Sequence, residues 1–101
     1  MNEYPCKLVT VVTEAILESQ ICAWLRENGA SGYTVTDARG SGSRGARTAG
    51  WGASGNVRIE VLCNLQLADR IAKHMQENYY QDYAMVMFIT DAAVLRPQKF
   101  T

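Results

Sequence analysis

An α+β domain, with an antiparallel sheet covered on one face by two helices, is what this sequence predicts. Two segments carry apolar residues at helical spacing and four have strand character. Their order along the chain is strand, helix, strand, strand, helix, strand. The 101 residues, 48% of them hydrophobic, suffice for a single domain with one modest core, residues 1–101.

Residues 7–12, KLVTVV, are β-branched and bounded by Pro5 and by Thr13-Glu14, which predicts a central strand buried on both sides. Thr13 is expected to cap the helix that follows, and Glu14 suits its positive end. In that helix Ile16, Leu17, Ile21, Trp24 and Leu25 share one face, and Gly29 supplies the stop. The second strand, residues 33–38, alternates Tyr33, Val35 and Asp37 against Thr34 and Thr36. The third, residues 57–63, sets Val57, Ile59 and Val61 against Arg58 and Glu60. Asn64 is expected to cap the second helix, whose inward face is Leu67, Ala68, Ile71, Ala72 and Met75. Asp69, Arg70, Lys73 and Glu77 form its solvated side, where His74 is expected as an ordinary surface residue. A polar aromatic turn at 78–84 leads into the fourth strand, residues 85–90, with 91–95 as a short continuation. This order is the ferredoxin-like βαββαβ arrangement. The first and fourth strands are apolar on both sides, so the uncovered sheet face predicts self-association.

Ten basic residues cancel ten acidic ones, so no global field draws the chain to nucleic acid or anionic lipid. RNA binding on the sheet would want exposed aromatics in the third strand, and VRIEVLC has none. No apolar run approaches membrane-spanning length, and MNEYPCKLVTVV lacks a signal-peptide layout, so no membrane insertion and a cytoplasmic location are expected. Cys6, Cys22 and Cys63 are widely spaced and His74 is the one imidazole, which predicts buried reduced thiols and no metal site. No nucleophile–base pair can be placed, so an enzyme is not expected. Asp37 and Glu60 could approach near the loop base, but carboxylates so placed more often pair with Arg39 or Arg58.

Residues 39–56, RGSGSRGARTAGWGASGN, hold six glycines, three arginines, four hydroxyl residues and no acid. Glycine lets backbone N–H groups approach a ligand closely, successive N–H groups form anion-accepting nests, and guanidinium adds forked donors. Composition alone would favour a solvated surface hairpin. The length of the segment and its unaccompanied cations point instead to an anion-binding loop. It is not a P-loop, because G-x-x-x-x-G-K-[ST] is absent.

GYTVTDARGSGSR, YYQDYA and AAVL together resemble the PII signalling family, and more closely its PII-like branch linked to bicarbonate transporters and carboxysomes. The resemblance spans residues 7–95. It implies a homotrimer with an adenine nucleotide in each cleft between neighbouring subunits. Residues 39–56 would be the T-loop, which reorders with ligand and docks on a partner, residues 78–84 the B-loop, and 91–101 the C-terminal segment. By the same resemblance Thr34 would face the adenine, and Gly40, Ser41, Gly42, Ser43 and Arg44 would form the loop base beside the phosphates. Tyr83, Ala84 and Met85 would line the opposite wall, and Arg96 would reach a phosphate. Gly42, Ser43, Arg44 and Arg58 are the candidates for bicarbonate. The 78–84 turn departs from the glycine- and lysine-rich turn of classical members: it has no cation, and Asp82 would repel a long anionic tail. ADP or AMP is therefore expected over ATP. The cysteine-bearing extension of some transporter-linked relatives is not expected here. The implied function is a non-enzymatic sensor of inorganic carbon acting on a transporter or a carboxysome-linked protein. The alternative is a ferredoxin-like trimer of another class, a metal-tolerance-type protein or a small hydrolase, with a merely flexible loop.

Overall fold

Strand β1 (Tyr4–Glu14) is the spine of the sheet, pairing antiparallel with β3 (Asn56–Cys63) on one side and β4 (Met85–Val94) on the other. Strand β2 (Thr34–Ala38) pairs antiparallel with the far side of β3, giving the order β2-β3-β1-β4. The helices are α1 (Glu18–Glu27) and α2 (Leu65–Asn78). The computed structural model describes residues 2–40 and 55–96. Its architecture is the predicted ferredoxin-like one.

Register explains the core. Val9 lies opposite Val61 and Val11 opposite Ile59, so one face of the sheet presents a continuous apolar stripe. Ile21, Leu25, Ile71 and Met75 complete it from the two helices, each at most 1% exposed. Burying a side chain of this size contributes about 1.5–3 kcal/mol. Asn64 caps α2 as expected, its Oδ1 accepting the Leu67 N–H at 2.8 Å. Gly29 ends α1 with φ +95°, and the Ala30 N–H returns to the Leu25 carbonyl at 3.0 Å.

β1 begins at Tyr4 and ends at Glu14, beyond the predicted 7–12 on both sides. Pro5 is tolerated because β3 starts its pairing only at Lys7, so there β1 has β4 alone as neighbour. Thr13 is not a helix cap. It belongs to the strand, and its Oγ1 donates to the Ala84 carbonyl at 2.8 Å. Ile16 is not on the inward face but 73% exposed, because Ala15–Leu17 form a 3-10 turn and α-helical periodicity begins only at Glu18. His74 is not an ordinary surface residue. Its ring stacks on Trp24 with centroids 4.2 Å apart and meets the edge of Tyr79 at 5.8 Å. Burial there holds its pKa below the usual imidazole value.

The three cysteines are free and buried, and burial pushes their thiols up, Cys63 to about 11. They are packing groups, protonated at neutral pH. Among the described residues no helix is long and apolar enough to cross a membrane, and no cluster of three His, Cys, Asp or Glu residues could hold a metal ion.

Candidate functional site

On the sheet face opposite the helices, a groove of about 510 Å³ opens beside β2, lined by Leu8, Gly32, Tyr33, Thr34, Glu60 and Leu62. Its make-up follows from strand alternation. Val35 and Ile59 turn toward the core, which sends Thr34 and Glu60, a register pair, to the open side. Leu8 pairs with Leu62 and supplies the apolar floor. An apolar floor with a hydroxyl and a carboxylate at its rim suits a flat heterocycle carrying hydrogen-bonding edges. Arg58 stands further along the same face, its guanidinium 3.2 Å from the Glu60 carboxylate. Both side chains are partly exposed, so the pair is worth at most about 1 kcal/mol and a ligand can replace either member. Glu60 thus pairs with Arg58 rather than with Asp37, which lies opposite Val57.

At the opposite edge, residues 79–84 connect α2 to β4. Tyr79 is buried and anchors the turn, accepting at its carbonyl from the Asp82 and Tyr83 N–H groups at 3.2 and 3.0 Å. Its ring meets Tyr83 edge-on at 6.1 Å, continuing the Trp24–His74 stack. Both backbone polar groups of Ala84 are held by β1 side chains. The carbonyl accepts from Thr13, and the N–H donates to Glu14 Oε2 at 2.8 Å. The neighbouring Ala15 N–H donates to the Gly55 carbonyl at 3.2 Å, so the same stretch touches the return of the glycine-rich segment.

One copy of the chain does not gather all the predicted site residues. Thr34 and Gly40 lie on the β2 edge, whereas Tyr83, Ala84 and Met85 lie on the β4 edge. Three interstrand spacings, about 14 Å, separate the two. Arg96 follows the far end of β4, about 30 Å along the strand from Met85. Ser41, Gly42, Ser43 and Arg44 lie outside the described residues. Asp91 lies inside β4, in the continuation expected of the fourth strand, and is paired with Lys7. Sequence reasoning missed Leu8, Leu62 and Glu14. Alternation in the first strand could have found Leu8. Nothing local could have found Glu14, whose partner is 70 residues away.

The family model of nitrogen regulatory protein P-II matches residues 6–99. A PII-like protein from Thermus thermophilus is 35% identical over the full length of both chains, with a TM-score of 0.84. CPII, a nitrogen regulatory PII-like protein from Thiomonas intermedia bound to ADP, AMP and bicarbonate, shares the fold. Its TM-score is 0.88 at 23% identity over 98% of this chain and 96% of that one. The same protein bound to ADP and bicarbonate superposes with a TM-score of 0.87 at 24% identity, over 99% and 98% of the two chains.

Proposed function

The chain belongs to the nitrogen regulatory protein P-II family, and from that premise we propose that it is a non-enzymatic regulator that binds ADP or AMP between copies of itself and senses bicarbonate. The observation that carries this reading is the groove beside β2, with Thr34 on its wall and Gly40 leading into the glycine-rich segment. A base seated on Leu8 and Leu62 would point its phosphates along β2 toward residues 40–44. The separation of Tyr83, Ala84 and Met85 from that groove supports a cleft completed by a neighbouring copy, most simply in a homotrimer. The ligands of CPII, ADP, AMP and bicarbonate, support the choice of ligand class. Arg58, on the open face and weakly paired with Glu60, would be a cation for a small anion, together with Gly42, Ser43 and Arg44. Residues 39–56 would be the output, ordered by ligand and presented to a transporter or a carboxysome-linked protein in the cytoplasm.

Bicarbonate is small and strongly hydrated, and glycine-rich backbone is costly to fix. A nucleotide that has already ordered residues 40–44 therefore favours the second ligand, and linkage makes the effect reciprocal. Calorimetric titration of ADP and AMP in bicarbonate, with chloride at matched pH and ionic strength as control, should show tightening of about 5- to 150-fold, the usual range of a coupling. For ATP, competition or no effect is expected. Equal affinities for ADP in the two buffers would end the bicarbonate reading and leave the nucleotide site standing.

A further inference from the structure

Glu14 occupies a position its own sequence context does not explain. It is the N-cap of the Ala15–Leu17 turn, where a carboxylate ordinarily accepts from the first amides of its own helix. It makes no such bond. Its carboxylate reaches instead to β4's entrance and takes the Ala84 N–H at 2.8 Å. That amide lies just past Thr13–Met85, the last register pair of the β1–β4 ladder, so the ladder does not consume it. An anionic oxygen on a backbone N–H is the arrangement by which proteins hold phosphate or carboxylate ligands. Here the anion is built into the chain.

We propose that Glu14 is a specificity-determining residue of the nucleotide cleft, an internal anion that holds the Ala84 amide against ligand phosphates and so penalises each added phosphate. The inference rests on the reading of residues 83–85 as one wall of that cleft. A phosphate arriving at this wall must displace a carboxylate already hydrogen-bonded there, and it then remains beside a negative charge. No cation lies in the turn to offset this, since residues 79–84 are Tyr-Tyr-Gln-Asp-Tyr-Ala. The penalty grows with the charge of the tail, so it falls most on ATP, less on ADP and least on AMP. Preference for a short nucleotide would then come from a resident competitor as well as from the missing lysine.

Glu14→Gln separates this role from a merely structural one. Glutamine keeps an oxygen that can accept from Ala84, so the end of the ladder stays capped while the charge is removed. Titration of the intact protein and the variant with AMP, ADP and ATP should show tightening in that order, reaching about tenfold or more for ATP, the scale of one charge-assisted hydrogen bond. A structural cap predicts the same small change for all three, or a uniform loss, and either result would overturn the proposal. An amide NMR titration of both proteins with bicarbonate, against a chloride control, reads the Ala84 N–H without any nucleotide. The signal should move in Glu14→Gln at bicarbonate concentrations that leave the parent unchanged. If neither protein binds a nucleotide but the amide shift appears only in the variant, the functional reading fails and Glu14 remains an internal competitor. If the amide responds alike in both, Glu14 is not one.

Discussion

β2 and β4 both close the sheet, yet β2 has five residues and β4 ten. β2 shows threonines to the open side and is backed by a groove. β4 exposes Val86 and Phe88 on the open face, at 54% and 46%, and Ile89 on the helix-bearing face, at 39%. A long apolar strand with an unpaired edge invites association, whereas a short polar one resists it. The contrast fits different work for the two edges in the proposed assembly: the apolar length of β4 suits contact with a neighbouring copy, and the groove beside β2 suits the base of a small molecule. The two are also anchored differently. The start of β4 is pinned to β1 by two part-buried bonds at Ala84, while the start of β2 is held by an exposed bond from Arg26 to the Tyr33 hydroxyl, 2.5 Å long.

The largest expected effect bears on assembly. Phe88→Asp places a charge beside Val86 on the open face of β4, and light scattering should show a monomer where the parent protein forms the proposed oligomer. Thr36→Asp, on the open side of β2, should leave the oligomer intact. Equal behaviour of the two variants would erase the distinction between the edges. A middle-sized effect concerns anchoring. Thr13 is 1% exposed, and Thr13→Val keeps its shape while removing the proton that the Ala84 carbonyl accepts. A loss of about 1–2 kcal/mol in chemical denaturation is expected, the range for a buried hydrogen bond with its partner left behind. The smallest effect is on the other edge: Tyr33→Phe should cost less than about 1 kcal/mol, since Arg26 is solvated. A Tyr33→Phe loss as large as that of Thr13→Val would mean that the two strand starts are equally fixed.

Much of this architecture was legible because it repeats a short period. Val57, Ile59 and Val61 alternate with Arg58 and Glu60, and the structure buries the first three. Leu67, Ala68, Ile71 and Met75 recur at helical spacing and are buried too, with Asn64 as their cap. What escaped was set by contacts between distant segments. Ile16 fits a helical face only if the helix starts two residues before it does. Thr13 reads as a cap because threonine before an apolar run usually is one, until β4 arrives and claims its hydroxyl. His74 reads as solvated from its neighbours Lys73 and Glu77, and only the approach of α1 brings Trp24 over its ring. The candidate site was legible on the side of Thr34, which alternation turns outward. Leu8 and Leu62 beneath it are products of register, as is the reach of Glu14 from β1 to Ala84 at the opposite edge.

The central place of β1 also sets how this chain can reach its shape. β1 is made first, yet its nearest ladder partner in sequence is Asn56, opposite Glu14, and its far side waits for Met85–Val94. During synthesis the segment with apolar residues on both faces therefore has nothing to pair with until most of the domain has followed. Such non-local pairing slows folding, because loop closure must precede the contacts that reward it. Helices α1 and α2 can form early from local contacts, but neither has a surface to lie on until β1 is enclosed. Folding is thus governed by the arrival of the later strands, and a nascent chain spends its most vulnerable interval with β1 bare.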